Sequence, residues 1–307
     1  LQVISGHRAI AERFAAPAVA IGIFDGVHRG HQELVRRARA AAASGGTAIG
    51  LTFDPHPATV LAPEKAPAAI GTLARRLELL AAAGLDACVV EPFTVALSQM
   101  PADDFVDAVL VRALGVAHVV VGKDWRYGNG RAGTTDRLAA HGARAGFTVD
   151  AVDQVLVDGE PASSTRVRRL LRDGDLAGAA RVLGRAHDVD GVVVRGARRG
   201  RAIGVPTANL ALDVPPIVPT GIYAVWLHDG DARRPAVASL GTNPTFVDGG
   251  AVTFEVHVLD WSGDLYDRRV RVELVERLRD EAKFPSADAL VAQIERDIAD
   301  ARAVLAR

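Results

Sequence analysis

The sequence predicts an α/β chain in two parts: a doubly wound domain built on a parallel sheet, then a smaller antiparallel β domain ending in a helix. Two observations predict this. In the first half, short runs that are apolar on both faces alternate with longer segments of helical period. In the second half, strand-like runs follow at short spacing, separated by Gly, Pro and Asp-Gly turns. A length of 307 residues suits two ordinary domains.

The first-half strands read as AVAIGIF (18–24), TAIGLTF (47–53), ACVVEPF (87–93) and HVVVGKD (118–124). Segments 32–43, 73–83 and 103–114 carry helical spacing between them. Ligands of such sheets bind beyond the carboxyl ends of the strands. The polar clusters FDGVHRGH, TFDPHP and GKDWRYGNGRAGTTD all lie at strand ends.

After LGRAHDVDG (183–191) the period changes. GVVVRG, GIYAVWLHDG, RPAVASLGT, AVTFEVHVLD and RRVRVELVERL read as strands of a small barrel or sandwich. An amphipathic helix over 286–306 closes the chain, with Ser286 as its N-cap. The expected boundary lies near 184–188, which gives domains 1–184 and 185–307.

Composition excludes several classes. A formal net charge of −1 makes no electrostatic case for binding nucleic acid or a membrane surface. The single cysteine, Cys88 in DACVV, reads as a small buried hydrophobe and permits neither an internal disulfide nor a cysteine-rich metal site. With no signal-peptide pattern and no apolar run of membrane-spanning length, a cytoplasmic setting is expected.

The turn FDGVHRGHQ breaks an apolar run and leads into a basic amphipathic segment. Free N–H groups and the dipole at a helix start favour anions, phosphate above all. Gly22, Gly26 and Gly30 permit close approach of backbone to a ligand. His28 and His31, three residues apart, project to the same side of a first helical turn and can donate to phosphate oxygens. Two other readings stand beside this one: water-exposed turn residues, and a zinc pair completed by His56. In SSTRVRRLLRDGD (163–175), Ser163, Ser164 and Thr165 can cap a helix while Arg166, Arg168 and Arg169 add positive charge. An ordinary capped surface helix would look the same.

FDGVHRGH, TFDPHP, VGKDWRYGNGRAG and SSTRVR together resemble the adenylyltransferase module of the prokaryotic bifunctional riboflavin kinase/FAD synthetases, a nucleotidylyltransferase-like (HxGH) fold. The resemblance implies that His28 and His31 contact ATP phosphates, in a turn where Gly22, Phe24, Asp25, Gly26 and Gly30 line the nucleotide. Ser163, Ser164, Thr165 and Arg168 would hold its other side. The FMN phosphate would attack the α-phosphorus and release pyrophosphate, with Pro55, His56, Asp124 and Arg126 near the flavin or the transferred phosphate. Relatives often carry Glu at the place of Asp54, and Asn or another acid at that of Asp124.

RGARRGRAIGVPTANLAL (195–212) joins a Gly/Arg-rich loop to a Pro-Thr-Ala-Asn turn. It lacks the Gly-Lys-Ser/Thr of a Walker A loop. Thr207 and Asn209 offer hard oxygens suited to Mg²⁺ that shares substrate phosphates. A basic hairpin followed by a proline-started strand is the alternative. In AVTFEVHVLD, Phe254, Val256 and Val258 face one way and Glu255, His257 and Leu259 the other. Glu255 is therefore either a solvent-face residue or a base at the barrel mouth.

GRAIGVPTANL, GIYAV, SLGTNPTF, FEVHVLD and LRDEAKF follow in the order of the riboflavin kinase module, a six-stranded barrel. The resemblance assigns Gly200, Arg201, Gly204, Pro206, Thr207 and Asn209 to Mg-ATP, with Thr207 and Asn209 on the metal. It makes Glu255 the base for the ribityl hydroxyl and places Arg279, Glu281 and Phe284 around the flavin. Two residues depart from the pattern: Ala186 stands for a proline, and Asp267 follows Tyr266 where relatives often have Gly.

The implied function is a two-reaction enzyme acting on riboflavin, FMN and ATP with Mg²⁺, yielding FAD; the resemblance is compatible with a homo-oligomer. The alternatives are a chain with one active module and a flavin-binding carrier that has lost catalysis. Loss of His28, His31, Thr207, Asn209 or Glu255 would mark the carrier, and all five are present.

Overall fold

The computed structural model describes residues 1–42, 45–196, 204–242 and 252–307. It divides into two compact units, residues 1–67 with 73–163, and residues 68–72 with 164–307.

The first unit runs β1 (Gln2–Ser5), β2 (Ala18–Ile21), α1 (Arg29–Ala41), β3 (Ala48–Asp54), α2 (Pro57–Leu61), α3 (Leu73–Ala82) and β4 (Ala87–Pro92). It continues through α4 (Val95–Ser98), α5 (Ala102–Phe105), a π-wound segment (Val106–Leu114), β5 (His118–Gly122), α6 (Thr135–Ala145), β6 (Thr148–Val152) and a hairpin of β7 (Leu156–Val157) and β8 (Glu160–Pro161). The sheet is parallel, in the order β1-β4-β3-β2-β5-β6.

Both faces of its central strands are buried, which is why those strands read as unbroken apolar runs. Val19, Ile21, Leu51 and Val121 enter one cluster, with Phe105 and the π-wound segment. Ala18, Ala20, Cys88 and Val120 enter the other, with Leu34 and Val35 of α1 and Leu80 of α3. Cys88 is a free buried thiol, and burial pushes its pKa up to about 12. The edge strands β1 and β6 are short and partly exposed, and the apolar pattern did not reveal them.

Strand order reverses between β2 and β5, so the turn after β2 occupies the sheet's switch point. The strand expected over 18–24 ends at Ile21. Phe24 adopts φ 55° and is fully buried, its ring folded so closely over Gly22 that a Cβ there would lie 3.1 Å from it. The helix expected from 32 begins at Arg29, with His28 as its N-cap.

The second unit starts with α7 (Ser164–Arg172) and α8 (Leu176–Leu183). Six antiparallel strands follow: β9 (His187–Val194), β10 (Ala208–Leu212), β11 (Gly221–Asp229), β12 (Ala232–Thr242), β13 (Val252–Val258) and β14 (Arg269–Arg279). They close a barrel in the order β10-β13-β12-β11-β14-β9. Closure leaves no free sheet edge, and alternate residues such as Tyr223, Val225, Phe254 and Val256 fill the core. α8 packs on β9 and β14, which places α7 and α8 in the same compact unit as the barrel.

The final helix, α9 (Ala287–Leu305), is capped by Ser286, whose hydroxyl accepts the Ala289 N–H. Its later turns bury Ala301 and Val304 against Ala224 of β11. No described helix is long and apolar enough to cross a membrane.

Candidate functional site

In the first unit, His28 ends the turn after β2 and caps α1 by accepting the His31 N–H on Nδ1, at 3.4 Å. A neutral ring accepting at Nδ1 carries its proton on Nε2. The His28 and His31 rings stack at 3.7 Å with 22° between planes, and Phe24 meets His31 edge-on at 5.2 Å. Gly30 makes the stack possible: a Cβ there would lie 3.1 Å from the His28 ring and 3.2 Å from the Ala162 carbonyl oxygen. Gly26 turns at φ 79°, and Asp25 beside it is buried.

His31 Nδ1 is buried without a hydrogen-bond partner. Burial pushes the His31 pKa well below its ordinary value, and neighbouring His28 and Arg76 push it further. The ring is therefore a neutral donor suited to a phosphate oxygen. No group of three His, Cys, Asp or Glu able to hold a metal occurs among the described residues, so the zinc alternative with His56 lacks a ligand set.

Arg76 escaped the sequence reading. It lies on the buried face of α3, where its Nη1 donates to the Phe53 carbonyl at 3.2 Å and its Nη2 is 4.0 Å from Asp54. Its Nε is buried and unpartnered. The available signal was an arginine three residues after Leu73 and four before Leu80, on the apolar stripe of α3.

The other expected residues have varied settings. The Asp54–Pro55 peptide is cis, and His56 caps α2 by accepting the Ala58 N–H on Nδ1 at 3.1 Å. Asp124 is exposed and accepts from Gln154 Nε2 at 3.0 Å. Arg126 is exposed and donates to the Trp125 carbonyl at 3.0 Å, beside a Trp125–Tyr127 stack of 4.6 Å. Ser163 closes the first compact unit. Ser164 and Thr165 open α7, and buried Arg168 donates from Nε to the Ala68 carbonyl at 2.7 Å.

In the barrel, two consecutive outward rungs of β13 grip two consecutive residues of the Pro-Thr-Ala-Asn turn. Thr207 Oγ1 donates to Glu255 Oε2 at 3.0 Å, and His257 Nδ1 bonds to the Pro206 carbonyl at 2.8 Å. Asn209 stands opposite Glu255 in the β10–β13 ladder. A Cβ on Gly196 would lie 2.3 Å from the Asn209 side-chain nitrogen, so the loop glycine makes room for that amide. Gly204 is exposed with φ 78°, while Gly200 and Arg201 lie outside the described residues.

Two cavities meet at Thr207. One, of about 470 Å³, is lined by Pro206, Thr207, Trp261 and Tyr266. The other, of about 510 Å³, is lined by Thr207, Glu255 and His257, with Ile222, Val237 and Ile294 among its apolar walls. Glu281 and Phe284 line the second cavity, and Gly241 accommodates Glu281, whose Oε1 a Cβ would meet at 2.3 Å. Arg279 also lines it, with its guanidinium gripped by Asp297 of α9. Asp267 takes φ 63°, keeping the left-handed turn that a glycine would adopt more easily.

A switch-point turn that presents two stacked histidines at a helix start, joined to a barrel with hard oxygen donors between two cavities, defines a two-module enzyme of phosphate-group transfer. Residues 11–166 match the FAD synthetase family model and residues 183–305 the riboflavin kinase family model. The chain is 39% identical to the bifunctional riboflavin kinase/FMN adenylyltransferase of Pseudomonas fluorescens, over 100% of its own length and 98% of that protein. Identity to the protein of the same description from Escherichia coli K12 is 39%, covering 92% and 90%, and to that from Bacillus subtilis 32%, covering 97% and 95%. The chain belongs to the bifunctional riboflavin kinase/FMN adenylyltransferase family. A solved Streptococcus pneumoniae structure described as a macrolide-efflux protein has a TM-score of 0.88 and 31% identity, covering 98% of this chain and 99% of that one.

Proposed function

We propose that the two reactions of this enzyme use separate residue sets, one at the His28–His31 turn and one in the barrel. The enzyme transfers the γ-phosphoryl group of ATP to riboflavin, giving FMN and ADP. It then joins FMN to the AMP moiety of a second ATP, giving FAD and pyrophosphate. The modules so assigned are 1–184 for adenylyl transfer and 185–307 for phosphorylation.

The observation that carries the kinase assignment is Thr207 at the junction of two cavities, bonded to Glu255. We place the nucleotide in the cavity walled by Trp261 and Tyr266. The flavin enters the other, its ring against the apolar walls and its ribityl hydroxyl toward Glu255. Glu255 takes the hydroxyl proton as the oxygen attacks the γ-phosphorus. Thr207 and Asn209 offer hard oxygens that fit Mg²⁺ beside the Glu255 carboxylate. Thr207 and Asn209 would hold the ion, and its chemistry there is neutralisation of phosphate charge.

In the adenylyl site, neutral His31 and the Nε2–H of His28 donate to ATP phosphates as charge builds on the departing pyrophosphate. No covalent enzyme intermediate is needed, because the FMN phosphate is itself the nucleophile. The roles of Ser163, Ser164, Thr165 and Arg168 toward the nucleotide, and of Pro55, His56, Asp124 and Arg126 toward FMN, rest on the family resemblance. So does that of Gly200, Arg201 and Gly204 toward the kinase ATP. A cytoplasmic setting belongs to this reading, supported by ATP as co-substrate of both steps.

The test is one incubation of the full chain with riboflavin, ATP and Mg²⁺, resolving FMN and FAD by chromatography. FMN should rise first and FAD follow. Absence of FMN, or of FAD when FMN is supplied, would overturn the corresponding half.

A further inference from the structure

The resemblance makes Arg279 a flavin contact, but the structure gives its guanidinium another occupation. Nε donates to Asp297 Oδ1 at 2.8 Å and Nη2 to Asp297 Oδ2 at 2.6 Å, a bidentate pair. Nη1 donates to the Asp280 carbonyl at 2.8 Å, so each of the three nitrogens is engaged. The guanidinium carbon lies 5.8 Å from the Phe284 ring centroid. Asp297 is 3% exposed, and Gln293 Nε2 adds a third donor at 2.8 Å.

The location of this pair gives it a consequence. Arg279 ends β14, and the cavity wall formed by Glu281, Ala282 and Phe284 follows it directly. Asp297 lies on α9, whose Leu290, Ile294 and Ile298 form an apolar stripe along the same cavity. The tight packing of α9 against the barrel is farther along, at Ala301 and Val304. The Arg279–Asp297 bridge therefore ties the cavity-facing half of α9 to the wall segment opposite it.

We propose that Asp297 is a positioning residue for riboflavin phosphorylation: by holding Arg279 it fixes two walls of the flavin cavity and thereby sets flavin affinity. The proposal rests on the assignment of flavin to this cavity. A bidentate Arg–Asp pair is not reproduced by an amide or an ammonium, because only the guanidinium–carboxylate fork makes two parallel bonds. Loosened walls cost ordering of the bound flavin ring, while Glu255 on β13 and Thr207, immediately before β10, keep their own hydrogen bond.

The test measures riboflavin kinase kinetics of full-length Asp297→Asn and Arg279→Lys, with FAD formation from supplied FMN as an internal reference. In both variants KM for riboflavin should rise roughly 10-fold or more, by more than kcat falls, with KM for ATP unchanged. The double variant should be no worse than the poorer single one. Unchanged KM for riboflavin in the folded variants overturns the positioning role. A rise confined to KM for ATP overturns instead the placement of flavin in this cavity. If Asp297→Asn does not fold, Arg279→Lys, which keeps the charge but not the fork, decides by the same readings.

Discussion

Thr207 Oγ1 donates to Glu255 Oε2 across 3.0 Å, although 48 residues of sequence separate them. The pair joins the residue read as a metal ligand to the residue read as a base. Glu255→Ala should therefore abolish FMN formation while leaving FAD formation from supplied FMN. Loss of a positioned general base costs about 10²–10⁴ in rate. Retention of FMN formation within about 10-fold would remove Glu255 from the base role.

His28→Ala should do the reverse, removing FAD formation and sparing FMN formation, because it deletes both a donor and the cap of α1. The missing cap alone costs about 1 kcal/mol. That loss is small enough for the domain to stay folded, so activity, not stability, should carry the effect. Loss of both activities in a folded protein would contradict separate residue sets.

Gly30→Ala tests the stacked histidines without removing either one. The new methyl would press on the His28 ring and the Ala162 carbonyl, both a few tenths of an ångström too close. Displacement of a catalytic donor by a fraction of an ångström should lower FAD formation by about 10-fold, with FMN formation as the internal reference. An unaltered rate would show that the ring pair tolerates the shift.

Gly196→Ala applies the same reasoning to the barrel. Its Cβ would overlap the Asn209 side chain at 2.3 Å, so the amide must move. The Mg²⁺ and ATP concentrations needed for half-maximal FMN formation should rise by roughly 10-fold, with KM for riboflavin less affected. A selective rise in KM for riboflavin would separate Asn209 from the metal and nucleotide.

His187, at the start of β9, gives the barrel a pH dependence. Burial pushes its pKa down to about 4, and its Nε2 is buried without a partner. The unfolded chain binds this proton near pH 6.5 and the folded barrel only near pH 4. Stability is therefore full above about pH 6.5 and declines as pH falls toward 4, by up to about 3 kcal/mol. Denaturant titrations that follow kinase activity should show the decline. His187→Phe should flatten it, and an equal slope in that variant would exclude His187 as the source.

Local pattern in the sequence determined the types of the central, buried elements, though not the short edge strands β1 and β6. Runs apolar on both faces, such as 47–53, could belong only to a covered sheet, and the alternation in VTFEVHV could fill only one face of a barrel strand. The histidine turn and the Pro-Thr-Ala-Asn segment were legible because a helix start and hard oxygen donors carry their chemistry locally. Several features had no such local mark. Phe24 lies outside β2 because its ring folds back on Gly22, a contact between residues that the strand pattern treats as one run. Leu259, read on the face of Glu255, is buried because β13 ends at Val258 and alternation stops there.

Tertiary structure alone decided which distant groups meet. It brought Arg76 to the Phe53 carbonyl and within electrostatic reach of His31, set Thr207 between two cavities, and bound Arg279 to Asp297 instead of leaving its fork open to a ligand. The physical reason is range. Period and capping act over a few residues and are written in order along the chain. Cavities and buried ion pairs form where remote elements close on one another, so their partners have no sequence spacing to betray them.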